Sequence, residues 1–169
     1  MKFFLIIYFL FFLTSLNAAE IKSAFGLNLG EVFTENLREL SETTSGEKIY
    51  QFGAKNPHPS FLYYGVIITP KSNRIAQIWA WKDYDSSAEC KSQFKIVKSL
   101  LNDKYGVFLD KDSFSFSSES AAYYSGKKSI SLRCPIKFGS NPLYLQYIDD
   151  DINEISVKEK AAETNSKGL

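Results

Sequence analysis

Two runs of apolar residues close together in the chain constrain its fold more than any other feature. Phe61 to Thr69 reads FLYYGVIIT and Ile75 to Lys82 reads IAQIWAWK, with Pro70-Lys71-Ser72-Asn73 between them. Aromatic and β-branched residues bounded by turn formers predict two strands joined as a hairpin, hence antiparallel neighbours. Side chains alternate along a strand. Ile75, Gln77, Trp79 and Trp81 are therefore expected on one face, and Ala76, Ile78, Ala80 and Lys82 on the other. In the first run Leu62, Tyr64, Val66 and Ile68 oppose Phe61, Tyr63, Gly65 and Ile67. Both faces are apolar, whereas a sheet with one wet face alternates apolar with polar. Either the chain covers the hairpin on both sides, or one face stays open for a partner. Trp79, Trp81, Tyr63 and Tyr84 are the candidate contact residues for the second case, because Trp and Tyr supply large contact area at little entropic cost.

The segment after the hairpin has signals at both ends of a helix. Ser86 and Glu89 have capping-box spacing, and Gly106 stands where a C-terminal cap belongs. Cys90, Phe94, Val97, Leu101 and Tyr105 recur every three or four residues, an apolar stripe on one face. Further along, Ser129 to Cys134 alternates, with Ile130, Leu132 and Cys134 pointing inward. The two cysteines of the chain, Cys90 and Cys134, thus both face the core, one from the helix and one from the sheet. A disulfide between them is expected. It would close a loop of about 44 residues and stabilise the fold by about 4 kcal/mol on the chain-entropy model.

Weaker signals complete the pattern. Val32, Phe33, Leu37 and Leu40 recur near helical spacing with Thr34 as a cap, which predicts a short first helix entered through Gly26 and Gly30. Lys48 to Phe52, Ser113 to Ser117, Ser120 to Tyr124 and Leu143 to Ile148 read as strands. Asp149-Asp150-Asp151 opens a terminal helix with charge that favours its dipole. Helices on one face of an antiparallel sheet make an α+β domain. The element order further reads as a helix-then-strands unit used twice, a recurrence of pattern without sequence identity.

The beginning of the chain sets the expected compartment. Lys2, the apolar run Phe3 to Leu13 and the small residues Ala18 and Ala19 have the order of a cleavable secretory leader over 1–19. A single domain is expected over 20–160 and a flexible tail over 161–169. No cysteine stands at the cleavage site for lipidation, so no membrane anchor is expected after cleavage. An oxidising destination agrees with the disulfide. Loss of Lys2 leaves nineteen of the twenty Lys and Arg against nineteen Asp and Glu. That neutrality argues against nucleic acid as a partner, since such binding rests on basic patches.

Catalytic and metal-binding patterns are weak. His58, the lone histidine, stands between Pro57 and Pro59 without ligand-spaced companions, and nearby Ser60 lacks a glycine-flanked elbow. Calcium loops starting at Asp110 or Asp149 would need Gly at the sixth place and Glu at the twelfth. They carry Ser115 and Ala121, or Glu154 and Lys160. No catalytic residue, metal or cofactor is therefore assigned. The expectation is an exported, non-catalytic domain that binds a protein or an envelope component through an aromatic sheet face. The alternative is a small hydrolase whose residues converge from distant segments near His58 or Asp149 to Asp151.

Overall fold

The computed structural model describes residues 19–35, 37, 39–43, 46–110, 119–135 and 139–167. The expected leader, but for Ala19, and the strand expected at Ser113 to Ser117 lie outside these residues. The fold is α+β. A small hairpin, β1 (Ser23–Ala24) and β2 (Leu27–Asn28), precedes strands β3 (Glu39–Glu42), β4 (Lys48–Gln51), β5 (Tyr63–Ile68) and β6 (Ile75–Tyr84). Helix α1 (Ser87–Tyr105) follows, then β7 (Leu109–Asp110), β8 (Glu119–Ser125), β9 (Lys128–Cys134), β10 (Asn141–Asp149) and helix α2 (Asp150–Lys167). The terminal helix therefore carries helical backbone through most of the stretch expected as a tail.

Strands β3 to β10 form one antiparallel sheet in the order β3-β4-β5-β6-β10-β9-β8-β7. Each half is a meander of four strands followed by a helix, and the last strands of the two halves, β6 and β10, pair at the centre. The expected helix-then-strands recurrence is not seen, because no helix precedes β3 among the described residues.

The described residues of the segment predicted as that first helix are not helical, and Gly30 to Phe33 run along the start of β6 instead. Gly30 and Phe33 donate their backbone N–H groups to the carbonyls of Ile75 and Asn73 at 2.8 Å each, Ile75 donates to Glu31, and Val32 bridges Arg74. Leu40 lies in β3. A helix this short is marginal in water, and pairing with the start of β6 satisfies the same backbone groups while burying Phe33. Gly26 and its neighbour Phe25 make the turn of the β1–β2 hairpin, both at positive φ (96° and 54°) as a two-residue turn of this type requires.

The inner face of the sheet carries the core. One row crosses five strands in register, Tyr64, Ala80, Leu145, Leu132 and Ala121, and all five are buried. Helix α1 lies over this face against β6, β10, β9 and β8 and buries the whole predicted stripe from Cys90 to Tyr105. Its cap is as expected, with the Ser86 side chain accepting from the Glu89 amide at 3.2 Å. The Cys90–Cys134 disulfide ties the first turn of α1 to the end of β9, across a Cα separation of 6.1 Å. The β1–β2 hairpin covers the other part of the face: the Phe25 ring meets Tyr64 at 4.8 Å, Phe61 at 6.1 Å and Tyr147 at 6.2 Å.

Helix α2 crosses the sheet at the strand ends. Asp149 caps it by accepting from the Ile152 amide at 3.3 Å. Glu159 accepts from the Lys71 and Ser72 amides of the β5–β6 turn at 2.8 and 3.2 Å, and Lys160 reaches Glu42 of β3 at 3.6 Å. No helix among the described residues is long and apolar enough to cross a membrane.

Candidate functional site on the outer sheet face

Trp79 and Trp81 point away from α1, as their odd register numbers require, and both are half-buried. The pairing of strands distant in sequence then assembles a row that no single segment contains. Tyr63 of β5, Trp81 of β6, Tyr144 of β10 and Arg133 of β9 are successive register partners across the sheet. Tyr63 and Trp81 stack with ring centroids 4.6 Å apart and planes at 28°, and Trp81 stacks on Tyr144 at 6.2 Å and 30°. Cross-strand aromatic pairs of this kind each contribute up to about 1 kcal/mol to the sheet.

The next row is Gly65, Trp79, Gln146 and Ser131. A Cβ at Gly65 would stand 2.0 Å from Cζ2 of Trp79, so the indole lies over a backbone position that only glycine leaves open. Beside it runs a chain of polar groups. Arg133 donates to the Gln146 side-chain oxygen at 3.4 Å, the Gln146 amide donates to Gln77 at 2.6 Å, and Gln77 donates to Asn153 of α2 at 3.4 Å. Trp79, Trp81, Tyr144, Gln146 and Arg133 bound an open groove of about 260 Å³. Among the described residues, no helix lies across it; α2 reaches this face only at its Gln77 end.

Three of the four candidate contact residues, Tyr63, Trp79 and Trp81, therefore share one face, and Tyr63 is 38% exposed. Tyr84 does not join them. It is only 6% exposed, on the α1 side, and its hydroxyl donates to the Ser60 carbonyl at 2.8 Å. Its even register number, shared with Ile78 and Ala80, already placed it on the inner face. Ile75 also leaves the face: a bulge between Ile67 and Ile68 pairs it with Ile68 and buries both. Tyr144, Gln146 and Arg133 were missed as site residues because nothing local marks them; only the register of β10 against β6 and β9 brings them to Trp81.

The catalytic candidates are placed as follows. His58 is half-buried, its backbone N–H donating to the Tyr64 hydroxyl at 2.9 Å. The Ser60 amide donates to His58 Nδ1 at 3.2 Å, so the neutral ring carries its proton on Nε2. Burial lowers the pKa of this imidazole below its usual range. The Ser60 hydroxyl is turned to Gln93, to which it donates at 2.9 Å, and takes no part in a Ser–His pair. Asp149 is occupied as the cap of α2 and by Lys128 at 3.6 Å. Among the described residues, no three His, Cys, Asp or Glu side chains converge as a metal site would require.

Compared with models of protein families, with curated proteins and with solved structures, the chain matches none.

Proposed function

We propose that the chain is an exported binding domain that docks a protein or an envelope component on the outer face of its sheet. The observation that carries this reading is the in-register row Tyr63–Trp81–Tyr144–Arg133, half-exposed beside a groove and with no helix across it among the described residues. Three features support it. Aromatic and Arg side chains are the types that dominate binding hot spots. The rings of Tyr63, Trp81 and Tyr144 are held by stacking and the Trp79 indole lies over Gly65, so little side-chain freedom is lost on docking. Arg133 hydrogen-bonds Gln146 and makes no ion pair among the described residues, which leaves its charge for a carboxylate of the partner. The leader-like order of 1–19 and the disulfide support export.

The test is a paired recovery experiment with the domain lacking 1–19. Immobilised wild type and the variants Trp81→Ser and Arg133→Ala are exposed to the same envelope extract. A component retained by wild type and lost by both variants, with their thermal unfolding still cooperative, supports the reading. Equal recovery by all three refutes it.

A further inference from the structure

A second hollow lies on the opposite side of the sheet, between the β1–β2 hairpin, the Pro57-His58-Pro59 loop and the last turns of α1. It has two adjoining compartments of about 140 and 400 Å³, both bounded by Phe25, His58, Lys104 and Tyr147. The narrower one is walled by Phe61, Val97, Leu101 and Leu145, and so is apolar. The wider one opens past Asn28 and Asn56 and is polar. No Asp or Glu lines either compartment.

The groups at the junction carry donors and positive charge. Lys104 is exposed, sits 4.9 Å from the centroid of the Tyr105 ring and makes no ion pair among the described residues. The His58 ring is locked by the Ser60 amide on Nδ1, which leaves Nε2–H as a donor without a partner among the described residues. The two flanking prolines hold the loop that carries it. A hydrocarbon chain that covers the apolar walls removes them from water, and a donor already fixed in place loses little freedom on binding.

We infer that this cleft binds a free aliphatic carboxylate, its chain in the apolar compartment and its head group between Lys104 and His58. Charge complementarity carries it, with a cation and an N–H donor at the junction, no carboxylate in the lining, and apolar walls beside them. This site is independent of the outer face, and the proposed docking function can fail without affecting it.

The chain supplies its own reporters for a test. His58 is the lone histidine, and Trp79 and Trp81, the two tryptophans, lie on the other side of the sheet. The protein lacking 1–19 is titrated with decanoate and, separately, with decanol. Decanoate is expected to shift the His58 Cε1–H resonance saturably and to leave tryptophan emission unchanged, while decanol binds more weakly. Lys104→Met is expected to weaken decanoate by about fivefold, the upper end for a partly exposed ion pair, with decanol unaffected. Lys104 is exposed, so this variant keeps the fold, and an unchanged thermal midpoint checks that it does. No saturable shift up to about 1 mM decanoate, equal affinity for decanol, or an unaltered affinity in Lys104→Met each overturns the inference. A change in tryptophan emission in place of the His58 shift assigns the ligand to the outer face and overturns it too.

Discussion

Gly65→Ala tests whether Trp79 is held in place by the backbone beneath it. Gly65 is a strand residue without a positive φ, so alanine suits its conformation and, by restricting the unfolded chain, would by itself stabilise the fold by about 0.4–1 kcal/mol. The added Cβ, however, would meet Cζ2 and Cε2 of Trp79 at 2.0 and 2.2 Å. Carbon atoms rest about 3.5 Å apart, so the indole has to retreat by about 1.5 Å. Overpacking of that kind costs about 1–3 kcal/mol. The net expectation is a destabilisation of about 1–2 kcal/mol, seen as a fall of about 3–6 °C in the thermal midpoint for a domain of this size. Acrylamide quenching of the native protein should rise as Trp79 is lifted from the sheet. In a Trp79→Ala background the same substitution should be neutral or stabilising, because the three atoms nearest the new methyl group all belong to the removed indole. Urea unfolding of the four proteins closes the cycle. If Gly65→Ala is as stable as wild type with unaltered quenching, Trp79 does not lie on Gly65, and the outer face loses the rigidity argued for it.

Other outcomes follow from other parts of the molecule. Replacing both Cys90 and Cys134 with serine should lower stability by about 4 kcal/mol, the chain-entropy value for this loop, in chemical denaturation; a loss under about 1 kcal/mol would mean that the open chain is already constrained. His58 has its pKa lowered by burial, so its neutral form favours the folded state. That contribution is complete above about pH 6.5, the unfolded value, and is lost as pH falls through the folded one; His58→Asn should flatten the stability profile between about pH 7 and 5. Glu159 would be raised by burial, but hydrogen bonds from Ser72 and from the Lys71 and Ser72 amides, with the Lys71 charge, outweigh this and hold it low. Its stabilising contribution is therefore present above about pH 4.5 and lost as pH falls below that; Glu159→Gln should remove that acid-sensitive part of α2 docking, measured by amide exchange in α2.

The α1 stripe and the β5–β6 hairpin were legible because their evidence is local. Cys90 to Tyr105 repeats within each turn of one helix, and Phe61 to Lys82 brings two β-rich runs together across a short turn. The disulfide was legible for a related reason, since each cysteine sat in an element whose inward face could be read by itself. The segment around Val32 to Leu40 was misread because its spacing fits a helix, while the strand edge that captures Gly30 to Phe33 comes from residues 73–75. Such competition between local pattern and distant partner is decided by which arrangement satisfies more backbone groups.

The sequence by itself determined the α+β class, the helix between two sets of strands, the paired sulfurs and the parity that sets Trp79 and Trp81 apart from Ala80 and Tyr84. It left open which side of the two-sided apolar hairpin the chain would cover. Tertiary structure decided that: α1 and the β1–β2 hairpin took the Ala80 side, while β10 and β9 brought Tyr144 and Arg133 beside Trp81. The physical reason is that alternation is a property of one strand, whereas a face is made by register between strands, and register follows from the burial of the sheet as a whole.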